Sequence, residues 1–157
     1  MQLANLCFLR RGDEILLAMK KRGFGLGKWN GVGGKLEVLE TARTATVREV
    51  KEEIGVTINQ DDLEKVGEIN FIFPDKGDAK LFVHVFFCTK WEGEPTESEE
   101  MRPQWFTISA IPFDEMWVDD KLWLADAIAG KKFRAKFIFK GEGEEIESYE
   151  IVEVESF

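Results

Sequence analysis

Short apolar runs bounded by turn residues dominate this chain. ANLCFL (4–9) and EILLAM (14–19) flank Arg10-Arg11-Gly12-Asp13 and predict two strands joined as a hairpin. LEKVGEINFIF (63–73) and KLFVHVFFCTKW (80–91) predict two more, with Pro74-Asp75-Lys76-Gly77 as the turn between them. PQWFTI (103–108) reads as a short strand. FRAKFIFK (133–140) and EIESYEIVEV (145–154) alternate around Gly141-Glu142-Gly143 as a C-terminal hairpin.

Two segments change rhythm. From Thr41 to Ile54 the apolar positions Val47, Val50 and Ile54 recur at helical spacing, with Thr41 as N-cap and Gly55 as C-cap. Asp119-Asp120 would cap a second helix running to about Ala129, closed by Gly130 and Lys131-Lys132. Residues 20–35, KKRGFGLGKWNGVGGK, are rich in glycine and basic residues and read as a loop. WEGEPTESEEM (91–101) is acidic and turn-like. The elements sum to an α+β fold, an α/β/α sandwich with two main helices against a mixed sheet, in one domain spanning 1–157.

Composition narrows the function. The chain has 157 residues, 44% of them hydrophobic and 32% charged, which suits a soluble globular domain. No run is long enough for a membrane span, and the N-terminus lacks the pattern of a secretory signal. The two cysteines, Cys7 and Cys88, give neither a disulfide framework nor zinc spacing, so a cytoplasmic setting is expected. A net charge of −9 opposes nucleic-acid binding. The only histidine, His84, lies within a strand, which leaves little material for a Ser-His-Asp or Cys-His mechanism. The glycine-rich loop contains no G-x-x-x-x-G-K-[ST], so it is not a phosphate loop of that type.

The first helix carries the chemistry. Glu49, Glu52 and Glu53 are spaced i, i+3, i+4 and share one face, opposite the apolar one. Like charges so placed repel. A hard divalent cation would relieve them, and magnesium suits one or two carboxylates, retained waters and substrate phosphates. A solvated Glu-rich face is the bland alternative for three acids alone. The wider pattern is more specific: Gly34, Glu40, Arg48-Glu49, Val50, Glu52-Glu53, Gly55 and Val56 fit G-x5-E-x7-R-E-U-x-E-E-x-G-U, with U apolar.

That pattern resembles the Nudix box, without a departure. MKKRGFGLGKWNGVGGK (19–35), VHVFFCT (83–89), GEPTESEEMRPQWF (93–106) and IPFDEMWVDD (111–120) further resemble the animal branch of Nudix hydrolases that act on oxidised purine nucleoside triphosphates. The resemblance implies a small-molecule nucleotide substrate, no nucleic-acid or membrane partner, and a monomer. It also implies Mg2+, with Mn2+ as a substitute. Glu49, Glu52, Glu53 and the Gly33 carbonyl would hold the metal, with Glu100 contributing directly or through water. Arg48 would orient a box carboxylate. Glu53 would stand nearest the nucleophilic water, with Glu100 as competitor. Lys20 would meet phosphate, with Lys21 and Arg22 behind it or merely solvated.

By the same resemblance Asn30, Phe71, Trp117, Asp119 and Asp120 line the purine site, and Phe24, Phe73 and Leu81 complete its walls. An aromatic ring stacks on a purine. Two adjacent buried carboxyls will not both ionise easily, so one can keep a proton and donate it. Asn5 stands where that branch has Thr, Leu81 where it has Met and Val118 where it has Pro. The other tryptophans, Trp29, Trp91, Trp105 and Trp123, read as packing. The alternatives are a Nudix pyrophosphatase for a methylated purine triphosphate, ADP-ribose or a capped nucleotide, and a non-catalytic nucleotide-binding module.

Overall fold

The alternating runs pair into one mixed sheet, seen in a computed structural model that describes residues 1–157. Its strands are β1 (Gln2–Arg11), β2 (Glu14–Lys20), β3 (Trp29–Asn30), β4 (Leu63–Phe73), β5 (Ala79–Cys88), β6 (Met101–Thr107), β7 (Lys132–Lys140) and β8 (Glu145–Val154). The order is β3-β2-β1-β5-β4-β7-β8, with β6 paired to β2. β1 runs parallel to β5, and β4 parallel to β7; the remaining pairs are antiparallel. Seven of the strands match predicted runs. β3 does not, because two residues paired to Ala18 and Met19 are too few to show a period.

Helices α1 (Ala42–Ile54) and α2 (Asp120–Ile128) pack on opposite faces. The alternation of β1 divides the core. Cys7 and Leu9 join Val50, Ile54, Phe86 and Cys88 under α1. Ala4 and Phe8 join Val85, Phe87, Phe133, Phe137 and the α2 residues Trp123, Leu124 and Ala127. Val50 and Ile54 are each 1% exposed, and burial of each is worth about 1.5–3 kcal/mol. Val47, expected on the same face, is only partly buried, and Ala45 and Thr46 complete the contact.

The ends of α1 follow the sequence. The Thr41 hydroxyl accepts from the Thr44 backbone amide at 3.1 Å, and Gly55 takes the left-handed conformation at φ 74°. The second helix begins differently. Asp119 stands at its N-cap position but makes no side-chain cap bond there. Its carboxylate is engaged elsewhere.

Candidate active site

Backbone hydrogen bonds tie the loop before α1 to β1. Asn5 N–H donates to the Gly34 carbonyl at 2.9 Å, and Cys7 and Val32 exchange bonds at 2.7 and 2.8 Å. A Cβ on Gly33 would fall on the Asn5 carbonyl. One on Gly34 would come within 2.9 Å of the Glu49 carboxylate. These two positions therefore need glycine for close approach, and that approach lays the loop backbone beside the acids of α1.

Arg48 organises those acids. Its Nε and Nη2 donate to the two Glu40 carboxylate oxygens at 2.7 and 2.9 Å, a forked pair. Its Nη1 donates to Glu49 Oε1 at 2.9 Å and Glu52 Oε2 at 3.2 Å. The guanidinium holds Glu40 down at about 2. Arg48 thus touches the box glutamates themselves, in line with an orienting part.

Glu49 and Glu53 come together, while Glu52 stays out in solvent with its side chain 59% exposed. Glu53 Oε2 is buried and has no hydrogen-bond partner. Burial first, then the charge of Glu49, pushes the Glu53 carboxyl up to about 8, with Lys20 pulling the other way. Glu100 adds to that push from the loop before β6, and its Oε2 lies 3.9 Å from Lys20 Nζ. Lys20 therefore stands between Glu53 and Glu100. No three His, Cys, Asp or Glu side chains are gathered tightly enough to hold a metal by themselves.

That arrangement still fits a hard divalent cation. The donors are carboxylate oxygens, one is buried without a partner, and magnesium takes only one or two carboxylates with water and phosphate completing its shell. Glu49, Glu53 and Glu100, with the Gly33 carbonyl, are the residues that would hold it. Glu52, the third glutamate of the expected set, shares the Arg48 Nη1 with Glu49 and is the most exposed of the acids bound there on α1.

The basic residues of the glycine-rich loop separate in the structure. Lys20 faces the acids. Lys21 Nζ donates to Glu97 at 2.5 Å and to the Ser98 carbonyl at 2.8 Å, and Arg22 binds Glu100. Lys21 and Arg22 are thus both paired with acids of the 97–100 loop.

On the α2 side of the sheet, Asp119 and Asp120 are 2% and 3% exposed. Asp119 Oδ2 accepts from the Trp123 indole N–H at 2.9 Å. Trp123, read from sequence as packing, therefore also holds a site carboxylate. The i, i+4 spacing of the two residues is the signal that could have found it. Burial raises Asp119 to about 6, against the pull of the Trp123 bond. Burial and the Asp119 charge raise Asp120 well above its ordinary value, and its Oδ2 has no partner. Both carboxyls are thus biased toward their protonated forms by burial.

Trp117 lies close by in sequence and packs among glycines. A Cβ on Gly25 would be 3.4 Å from its ring, and one on Gly143 would be 2.9 Å away. Phe24, 59% exposed, tilts against it at 5.0 Å, and Lys28 Nζ sits 5.2 Å from the ring centre. Phe71 and Phe73 stack on Phe139 at 5.5 and 5.2 Å. Leu81 is half-buried on the same cluster. Asn30 is half-buried, and its Oδ1 accepts from the Gly31 amide at 2.8 Å, which leaves its side-chain NH2 for another partner. Gly143 and Phe139 were not foreseen, because nothing local marks the C-terminal hairpin as part of this wall.

By the alternation of β1, Asn5 shares the α1 side with Cys7 and Leu9, and its carbonyl and side-chain oxygen lie against Gly33. It is 3% exposed, and both amide atoms lack partners. Among the hollows of the surface, one of about 540 Å3 between Gly130–Lys132 and Glu153–Glu155 is open and mostly charged, and it lies away from these residues.

The paired-carboxyl state has a consequence for stability. Both folded values lie above the unfolded one, so the folded protein binds more protons across the interval between them. Stability therefore falls as pH rises from about 4 through the folded values. D120N removes the buried acid. The variant is expected to be more stable than the parent at pH 7.5, by roughly 1–3 kcal/mol, and nearly equal to it at pH 4. Thermal unfolding at the two pH values checks this, and an equal shift at both would show that the proton is not involved.

The chain is similar to known proteins along most of its length. The family pattern described as the NUDIX domain matches residues 2–127. An oxidized purine nucleoside triphosphate hydrolase of Danio rerio is 48% identical over 89% of this chain and 88% of its own length. The protein of the same description from Mus musculus is 45% identical over 99% of this chain and 97% of its own. The crystal structure of a MutT protein from Bacillus halodurans superposes with a TM-score of 0.81, covering 96% of this chain and 97% of that one. At 24% identity it speaks for the fold alone.

Proposed function

The chain belongs to the Nudix family, and on that premise we propose that it hydrolyses oxidised purine nucleoside triphosphates to the monophosphate and pyrophosphate, with magnesium as the working cation. The observation that carries the substrate reading is the buried Asp119–Asp120 pair beside Trp117. One carboxyl of such a pair donates and the other accepts. The edge of an oxidised guanine or of a 2-hydroxyadenine offers complementary groups, and Trp117 and Phe24 offer rings for its face. The two free, buried cysteines suit the reducing cytosol.

A divalent cation bound here would offset the triphosphate charge and make a nearby water more acidic. The chain supplies the rest. Glu53, on the edge of the buried acid cluster, accepts the proton of the attacking water. The water oxygen forms a new bond to phosphorus as the phosphoanhydride bond breaks, and pyrophosphate leaves. Lys20 Nζ meets a phosphate oxygen, and Arg48 keeps Glu49 turned inward. Fixed charges of this kind supply most of the rate.

Pyrophosphate release from a panel of purine triphosphates tests the reading. With magnesium, 8-oxo-dGTP and 2-hydroxy-dATP are expected to give kcat/KM about 10²-fold or more above dGTP, since a hydrogen-bonding site discriminates more than the roughly 10² of an apolar pocket. Equal rates on dGTP would exclude oxidised purines as the preferred substrates. Preference for a methylated purine triphosphate, ADP-ribose or a capped nucleotide would move the protein to another Nudix activity.

A further inference from the structure

Arg22 binds only one oxygen of Glu100. Its Nε and Nη2 both donate to Glu100 Oε1, at 3.0 and 2.7 Å, and Nη2 also lies 3.6 Å from Glu99. The other oxygen, Oε2, is turned to Lys20, 3.9 Å from its Nζ. The backbone fixes the same geometry. Lys21 N–H donates to the Glu100 carbonyl at 2.8 Å, Lys21 Nζ grips Glu97 and the Ser98 carbonyl, and Ser98 Oγ accepts from the amides of Glu100 and Met101 at 3.3 and 3.2 Å. The loop before β6 carries its acids on a chain with no regular structure, so it has no helix or strand of its own to aim Glu100.

We propose that Arg22 is a positioning residue for Glu100: it holds Oε1 so that Oε2 faces the divalent cation. This rests on the reading of Glu100 as a metal-holding residue. A carboxylate with both oxygens free swings about its last bond, whereas one anchored through a single oxygen presents the other in one direction. A basic loop residue at this distance from a triphosphate site would ordinarily be assigned to phosphate. Here two of its three guanidinium nitrogens, Nε and Nη2, are already committed to Glu100 Oε1.

The test measures cation binding directly. Mn2+ is titrated into the nucleotide-free protein and followed by electron paramagnetic resonance, for the parent, R22A, R22K and E100Q. R22A is expected to weaken Mn2+ binding about tenfold, the lower end for loss of a residue that orients a metal ligand. R22K should recover part of that loss. In turnover, R22A should shift magnesium activation by a similar factor and leave the nucleotide KM at saturating magnesium within about twofold. Unchanged Mn2+ affinity with a raised nucleotide KM would make Arg22 a phosphate ligand and overturn the proposal. Tighter Mn2+ binding in R22A would make Arg22 a competitor of the cation and also overturn it. If E100Q binds Mn2+ as the parent does, the underlying role of Glu100 fails. If E100Q weakens binding and R22A does not, only the role of Arg22 fails.

Discussion

Exchanging Glu53 for Gln is expected to lower kcat about 10²–10⁴-fold, the range for removing a group that accepts a proton in the transition state. The change is nearly isosteric, so the result isolates chemistry from packing. Glu53 is a costly residue to keep: Oε2 is buried without a partner, and the carboxyl is pushed up to about 8 by burial and by Glu49. At pH 7 without a cation it is mostly protonated, and Gln resembles that form. The melting temperature of E53Q in chelator should therefore equal or exceed that of the parent. Added magnesium should raise the melting temperature of the parent more than that of the variant, because only the parent gains a charged ligand. Steady-state kinetics at saturating nucleotide and magnesium, with the two melts, check all of this. Full turnover in E53Q would remove Glu53 from the mechanism and leave Glu100 as the proton acceptor.

The second large effect falls on binding. Trp117→Ala deletes the ring that Gly25 and Gly143 pack against and that Phe24 meets at 5.0 Å. A stacked base is worth about 1–3 kcal/mol, so KM for the oxidised purine triphosphate is expected to rise about 10- to 100-fold. kcat should change little, since stacking acts equally on the ground state and the transition state. W117F should fall between. A KM within twofold of the parent would place the base away from Trp117, and the wall formed by Phe71, Phe73 and Phe139 would become its seat.

The two results would act on parts of the molecule that differ in how readily sequence reveals them. The rhythm of α1 is written locally. Thr41 and Gly55 mark its ends, Val50 and Ile54 its buried side, and the acids its other side. The strands follow from alternation in the same way, and only β3 escapes because it is two residues long. The site needs contacts that cross the chain. Arg22 and Glu100 are 78 residues apart, and Gly143 reaches Trp117 from the last hairpin. No local period encodes such pairs. Glu52 shows the converse limit. Helical spacing puts it with Glu49 and Glu53, yet its side chain is 59% exposed while that of Glu49, on the same Arg48 nitrogen, is 13% exposed. Asn5 shows another. Its place against Gly33 depends on strand alternation together with a backbone contact that no local pattern marks.

The divided strand β1 has a consequence for how such a protein can change over time. Its odd positions, Asn5, Cys7 and Leu9, look toward the helix with the glutamates, and its even positions, Ala4 and Phe8, look toward the helix that begins at Asp120. Side chains along β1 can be exchanged one at a time, each felt on one side only. A single inserted residue would send every later side chain to the wrong side. The length of this segment is thus inherited as a unit, while the loops at 23–28 and 141–144 remain free to reshape what the protein accepts.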